Sequence, residues 1–190
     1  LAFAGKSPLV LVVNGDPCWG NKYPTQLVST RMADQPVMAA DNLDPWGQYK
    51  RLTAIRFTAS TEAHAFGEAS DTILVSELVR KRFPKIDTQI ASHLLLDLEG
   101  VTLDIAHHGP HPGIREWTAG NVLQLYGRSL MLREILQGNE PPRVVIRAHY
   151  HTYRRQTVYL GGSHERITDI VIVPAYFGMD PHAQQVTNSK

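Results

Sequence analysis

Four short segments of the chain bring together side chains that bind cations or move protons. They are NGDPCWGN around Asp16, STEAH from Ser60 to His64, IAHHGPHPG with His107, His108 and His111, and RAHYHTY with His149 and His151. Imidazole nitrogens and a carboxylate oxygen together suit zinc, manganese, iron or nickel. Where a carboxylate bridges two ions and nitrogens complete each, the result is a two-metal centre. Residues i and i+2 of an extended segment face the same side, so His149 and His151 are expected to converge on one site. Neighbours on a strand face opposite ways, so one of His107 and His108 is expected to be a ligand and the other to orient or pack. His111, in the following loop, reads as solvated. Each segment also has a simpler reading. Asp16 after Gly15 fits a plain turn closed by its own side chain, His149 and His151 fit exposed strand residues, and His64 fits a cap on the helix that follows.

The elements that must position these residues read as follows. Residues 8–16 form a buried, β-branched strand between Pro8 and Gly15, and Pro17 keeps Asp16 out of helical geometry. Residues 25–46 form a loop and then a helix, and residues 52–60 a second strand ending in STEAH. Ile73, Leu74, Glu77, Leu78 and Arg82 recur at helical spacing within residues 70–84, which open on Ser-Asp and stop at a proline. Residues 92–109 form a hairpin about Glu99-Gly100. An amphipathic helix spans 119–138, with Gly138 as its stop. Strands follow at 143–151, 157–162 and 166–178. The fold class is therefore α/β, a layered sheet core with flanking helices. Each of the four chemical segments follows an apolar strand. Sites in such folds gather beyond the carboxyl ends of strands, so four loops can offer ligands to one crevice.

Composition narrows the function classes. A chain of 190 residues with 43% hydrophobic content builds a substantial core, and we read residues 1–190 as a single domain. Nineteen basic and 18 acidic residues leave a net charge of +1, which supplies no electrostatic case for nucleic acid or a membrane surface. A local basic patch remains compatible with it. A single cysteine, Cys18, forms no intrachain disulfide, and the expected location is the cytoplasm. The opening LAFAGKSPLVLVV is broken by Gly5 and Pro8 and does not read as a signal peptide. No apolar run is long enough for a transmembrane helix.

Taken in order, GD at Gly15–Asp16, STEAH at Ser60–His64, AHHG at Ala106–Gly109 and AHYH at Ala148–His151 resemble the calcineurin-like metallophosphoesterases. TEAH and AHHGP are similar to a bacterial and prophage-type branch of that family. The resemblance implies a layered β-sandwich flanked by helices. It also implies two divalent ions, manganese, iron or zinc, and hydrolysis of phosphate mono- or diesters by a metal-bound hydroxide. Carried over by position, Asp16 would bridge both ions, His149 would bind the second and His151 the first. His107 or His108 would be a further ligand of the second, with His107 nearer the strand. Thr61 stands where the family has an Asn ligand, Glu62 offers an oxygen beside it, and His64 would protonate the leaving group. Arg147 and Arg154 flank the histidine pair and are candidates to touch phosphate. Trp19, Trp46, Trp117 and Tyr150 could stack on a base, though core packing is the commoner role for such residues.

The family's opening Asp-x-His has no counterpart here. Asp16 is the first acid of the chain and His64 the first histidine. The expectation is that the domain is N-terminally incomplete and its first strand missing. If the first metal site is instead degenerate, the alternative is a non-catalytic metal-binding or scaffolding module. A third possibility is a histidine-rich α/β domain without metal. Metal identity, substrate and oligomeric state are not legible in the residues.

Overall fold

The computed structural model describes residues 5–21, 29, 31–62, 64, 71–113, 118, 120–161 and 165–174. They fall into two compact units, Leu1–Ser92 and His93–Lys190. The architecture is mixed α/β, with two sheets and helices packed on them.

In the first unit, β1 (Leu9–Val13), β2 (Leu52–Thr58) and β3 (Asp87–Ala91) form a parallel sheet in the order β1-β2-β3. The crossovers carry α1 (Asp34–Gly47) and α2 (Asp71–Arg82), as parallel pairing requires. The central strand β2 is covered on both faces: Ala54, Ile55, Phe57 and Thr58 are all buried. Val75 and Val79 of α2 and Ala40 of α1 complete that core. The helix expected over 70–84 is present, but its buried face is Thr72, Val75, Ser76 and Val79, while Ile73 and Leu74 are exposed. Strand β3 was not legible in the sequence. Its five residues, DTQIA, contain no β-branched run and take their strand character from pairing with β2.

In the second unit, β4 (Leu94–Leu98) and β5 (Val101–Ile105) form the expected hairpin, with Glu99 and Gly100 both at positive φ in its turn. Next come α3 (Asn121–Leu136), β6 (Val144–Arg147), β7 (Arg154–Leu160) and β8 (Arg166–Ile172). The sheet runs β4-β5-β6-β8-β7, with β5, β6 and β8 parallel and the two edge strands antiparallel. Helix α3 lies on β7 and β8, burying Leu123 and Met131 against Val145, Val158, Ile170 and Ile172. Gly127 makes that approach close, because a Cβ there would sit 2.4 Å from the Ile170 side chain. Among the described residues, no helix is long and apolar enough to cross a membrane.

Candidate functional site

Because β1 and β2 are parallel, the loops after them leave the same edge of the first sheet. The chain turns sharply after β1, with Gly15 at φ 73° and Asp16 at φ 44°. Asp is among the few residue types that take the left-handed region without a glycine. The loop after β2 then holds Asp16 from both ends. The Asp16 amide donates to Ser60 Oγ at 2.9 Å. The Asp16 carboxylate accepts from the Thr61 amide at 2.8 Å and from the Thr61 hydroxyl at 3.1 Å. Thr61, expected in the place of the family's Asn, thus meets the Asp16 carboxylate through both its amide and its hydroxyl. Glu62, next to it, is exposed.

His64 returns to the same loop. Its Nδ1 lies 3.1 Å from the Cys18 carbonyl oxygen, and its Nε2 lies 3.7 Å from Asp16 Oδ2. Trp19 packs edge-on against the imidazole, ring centroids 5.9 Å apart. Its ring nitrogen therefore serves the Asp16 loop, whereas capping of the following helix was the simpler expectation.

A residue that the sequence reading passed over lies beneath both loops. Asp71, read only as the acid opening a helix, is fully buried. It accepts a hydrogen bond from the Cys18 amide at 3.2 Å and another from the Ser60 side chain. One carboxylate thereby ties the segment after β1 to the segment after β2. Burial pushes its pKa above the usual carboxylate range, against the hydrogen bonds that pull it down. Burial, with Asp71 nearby, also pushes the Cys18 thiol up to about 12, so it stays protonated and serves as core. Nothing in the local pattern distinguishes Asp71 from an ordinary helix-opening acid. Its role depends in part on Cys18, more than fifty positions earlier.

In the second unit, β5 and β6 are parallel and their loops also leave one edge. The Ala148 amide donates to the His107 carbonyl at 2.9 Å, which links the two loops. His107 is 6% exposed, whereas His108 is exposed. Both rings lie beside His149, with centroids 5.4 Å and 4.6 Å from it. The strand rule that put them on opposite faces does not reach them, because β5 ends at Ile105. The same correction applies to His149 and His151. Strand β6 ends at Arg147, and the two histidines have φ of 73° and 52°. Extended alternation therefore does not govern where they face. His111 is exposed, as expected, and packs edge-on against Tyr150. The Tyr150 hydroxyl donates to the Gly109 carbonyl at 2.9 Å.

Arg147 does not have the exposure expected of a phosphate contact. Its side chain is 2% exposed, and Nη1 meets Asp104 Oδ1 at 2.7 Å. The guanidinium also donates to the Tyr126 hydroxyl and to the carbonyls of Asp104 and Ile146. Gly109 completes this packing, since a Cβ there would lie 2.6 Å from Arg147 Cγ. Trp46 packs against the first core, as the simpler reading of the aromatics has it. Trp117 lies outside the described residues.

Among the described residues, four non-glycine positions have positive φ: Asp16, Glu99, His149 and His151. Glu99 belongs to a hairpin turn. The other three are the ligand-type residues singled out by their chemistry. Left-handed backbone costs an L-residue on the order of 1–2 kcal/mol. Carboxylate and imidazole donors at these places suit zinc, manganese or iron.

Similar proteins were found among solved structures. Vps29 from Entamoeba histolytica, crystallised with zinc, is 12% identical over 87% of this chain and 73% of that one, with a TM-score of 0.42. The Thermotoga maritima protein TM1076, solved by NMR in solution, is 16% identical over 84% and 82%, with a TM-score of 0.38. An archaeal phosphodiesterase is 11% identical over 85% and 81%, with a TM-score of 0.36. No family model and no curated protein matches the chain.

Proposed function

We propose that this chain is a metal-dependent hydrolase of phosphate mono- or diesters, of the calcineurin-like metallophosphoesterase type. By the resemblance stated above, Asp16 of the first unit and His107, His149 and His151 of the second would be ligands of two divalent ions, manganese, iron or zinc. The observation that carries the reading is the left-handed backbone at Asp16, His149 and His151. Strain of this kind persists where the surrounding structure enforces it, and it clusters at functional sites. Of the adjacent histidines, the buried His107 is assigned as ligand, and the exposed His108 is left to meet solvent or substrate.

When bound, such ions polarise a phosphoryl oxygen and make water a competent nucleophile near neutral pH. The chain's own contribution is positioning. Thr61 holds the Asp16 carboxylate in one orientation through its amide and hydroxyl. Asp71 fixes the backbone of both flanking segments. The ionisable members of the Ser60–His64 loop, Glu62 and His64, are the groups available to protonate a leaving oxygen. The net charge of +1 favours a small phosphoester over a nucleic acid.

The test is metal content by elemental analysis, together with Mn²⁺-dependent hydrolysis of p-nitrophenyl phosphate and bis-p-nitrophenyl phosphate. Bound metal with hydrolysis that Asp16→Asn abolishes, at unchanged circular dichroism, supports the reading. Wild-type hydrolysis by Asp16→Asn, or no hydrolysis with any of the three metals, refutes it. A second reading, metal binding without turnover, is favoured by one observation: Arg147, one of the two cations offered for phosphate, faces the interior. Metal uptake that depends on Asp16 and His149, without hydrolysis of either ester, selects that reading.

A further inference from the structure

We infer that His64 is itself a metal ligand, sharing with Asp16 one divalent ion through Nε2, which leaves Glu62, of the two loop groups named above, as the proton donor. The inference rests on the metal-binding part of the proposed function and adds a residue to it.

The two imidazole nitrogens of His64 meet different partners. Nδ1 lies 3.1 Å from the Cys18 carbonyl oxygen. A carbonyl oxygen only accepts, so the proton of the neutral ring sits on Nδ1. Nε2 is then left with its lone pair. That nitrogen lies 3.7 Å from Asp16 Oδ2, which also accepts from the Thr61 hydroxyl at 3.3 Å. An imidazole nitrogen and a carboxylate oxygen at this distance, each held from its far side, are placed for a shared cation.

The spacing fits one ion. Bonds of about 2.1 Å from a carboxylate oxygen and an imidazole nitrogen span up to about 4.2 Å. A separation of 3.7 Å is therefore within reach of both, at a bent angle of roughly 120°. An outer hydrogen bond from the far ring nitrogen to a backbone carbonyl is the usual support of a ligating histidine. It sets the tautomer and raises the basicity of the ligating nitrogen. Here the Cys18 carbonyl has that position. Trp19, edge-on to the ring, restricts its rotation, and Thr61 holds the carboxylate. Both partners are thus oriented before any ion arrives.

A general acid needs the opposite arrangement, a proton on the nitrogen that faces the reacting atoms. A protonated His64 paired with Asp16 is the competing state, and it differs in a measurable way. With ¹⁵N-labelled protein, long-range ¹H–¹⁵N spectra report the His64 Nε2 resonance before and after saturation with Zn²⁺. A His64 Nε2 signal displaced on saturation with Zn²⁺ is the expected result. His64→Gln should further weaken Zn²⁺ binding in calorimetry by more than about 100-fold, beyond what loss of an outer partner costs. Thermal unfolding in EDTA should match wild type for that variant.

Zinc binding that depends on Asp16 and His149, with an unmoved His64 signal and wild-type affinity in His64→Gln, overturns this inference alone. Absence of zinc binding in the wild-type protein overturns it together with the proposed function.

Discussion

Breaking the buried ion pair between Arg147 and Asp104 is the sharpest test of how the second unit supports its histidines. The pair joins β6 to β5 just before the segments that carry His149 and His107. Both side chains are at most 5% exposed and meet at 2.7 Å. Unit charges about 4 Å apart attract by about 4 kcal/mol at an effective dielectric constant near 20. That attraction is offset by the cost of burying both ions, so the pair adds little net stability. Removing one partner is another matter, because the remaining charge is left in the core. Asp104→Leu should therefore cost about 3–5 kcal/mol. The lower end is expected, since Arg147 keeps the Tyr126 hydroxyl and two backbone carbonyls. His93, also 2.5 Å from Asp104, has a side chain that is 45% exposed and exchanges its partner for water at small cost. A loss of about 3 kcal/mol lowers Tm by roughly 10 °C in a chain of this size. The double variant Asp104→Leu/Arg147→Met removes both charges and should recover most of the loss. Urea denaturation of wild type, single and double variants measures all three. A single variant within about 1 kcal/mol of wild type, or a double variant no better than the single, would refute the account of a sealed pair.

Thr61→Val removes the hydroxyl that donates to Asp16 and keeps the amide. Urea denaturation should show a loss of about 0.5–1.5 kcal/mol, and Mn²⁺ affinity should fall with it; unchanged affinity would show that the amide alone orients the carboxylate. Asp71 titrates from a raised pKa, so the folded state binds its proton more tightly than the unfolded chain. The associated stability is present below the unfolded value of about 3.8 and is lost as pH rises through the folded value. Relative to wild type, Asp71→Asn should gain in urea midpoint as pH is raised from about 4 towards neutrality; a pH-independent difference would contradict the burial argument. Gly127→Ala gains up to about 1 kcal/mol of helix propensity. Its Cβ would nonetheless meet Ile170 at 2.4 Å and Val158 at 2.8 Å, so denaturation should show a net loss of about 1–3 kcal/mol.

The amino-acid sequence by itself determined most of the elements and the places where chemistry could sit. Hydrophobic period, β-branched runs and Gly/Pro punctuation are local properties, and they located β1, β2, the β4–β5 hairpin, α2 and α3 within a few residues. They also put Asp16, Ser60–His64, His107–His108 and His149–His151 just after strands. Strand β3 escaped because its character comes from pairing with β2, and the buried face of α2 escaped because its neighbours choose it.

The side-chain directions failed for a related reason. Alternation along a strand holds only while the strand lasts, and β5 and β6 stop before their histidines. Only the tertiary structure decided that His107 is buried while His108 is exposed, and that Arg147 faces inward to Asp104. It also decided that Asp71 ties two loops together and that His64 turns one nitrogen to Cys18 and the other towards Asp16. Each of those outcomes depends on partners dozens of residues away. A carboxylate or imidazole acquires its role from the atoms that surround it after folding, and spacing along the chain does not encode them.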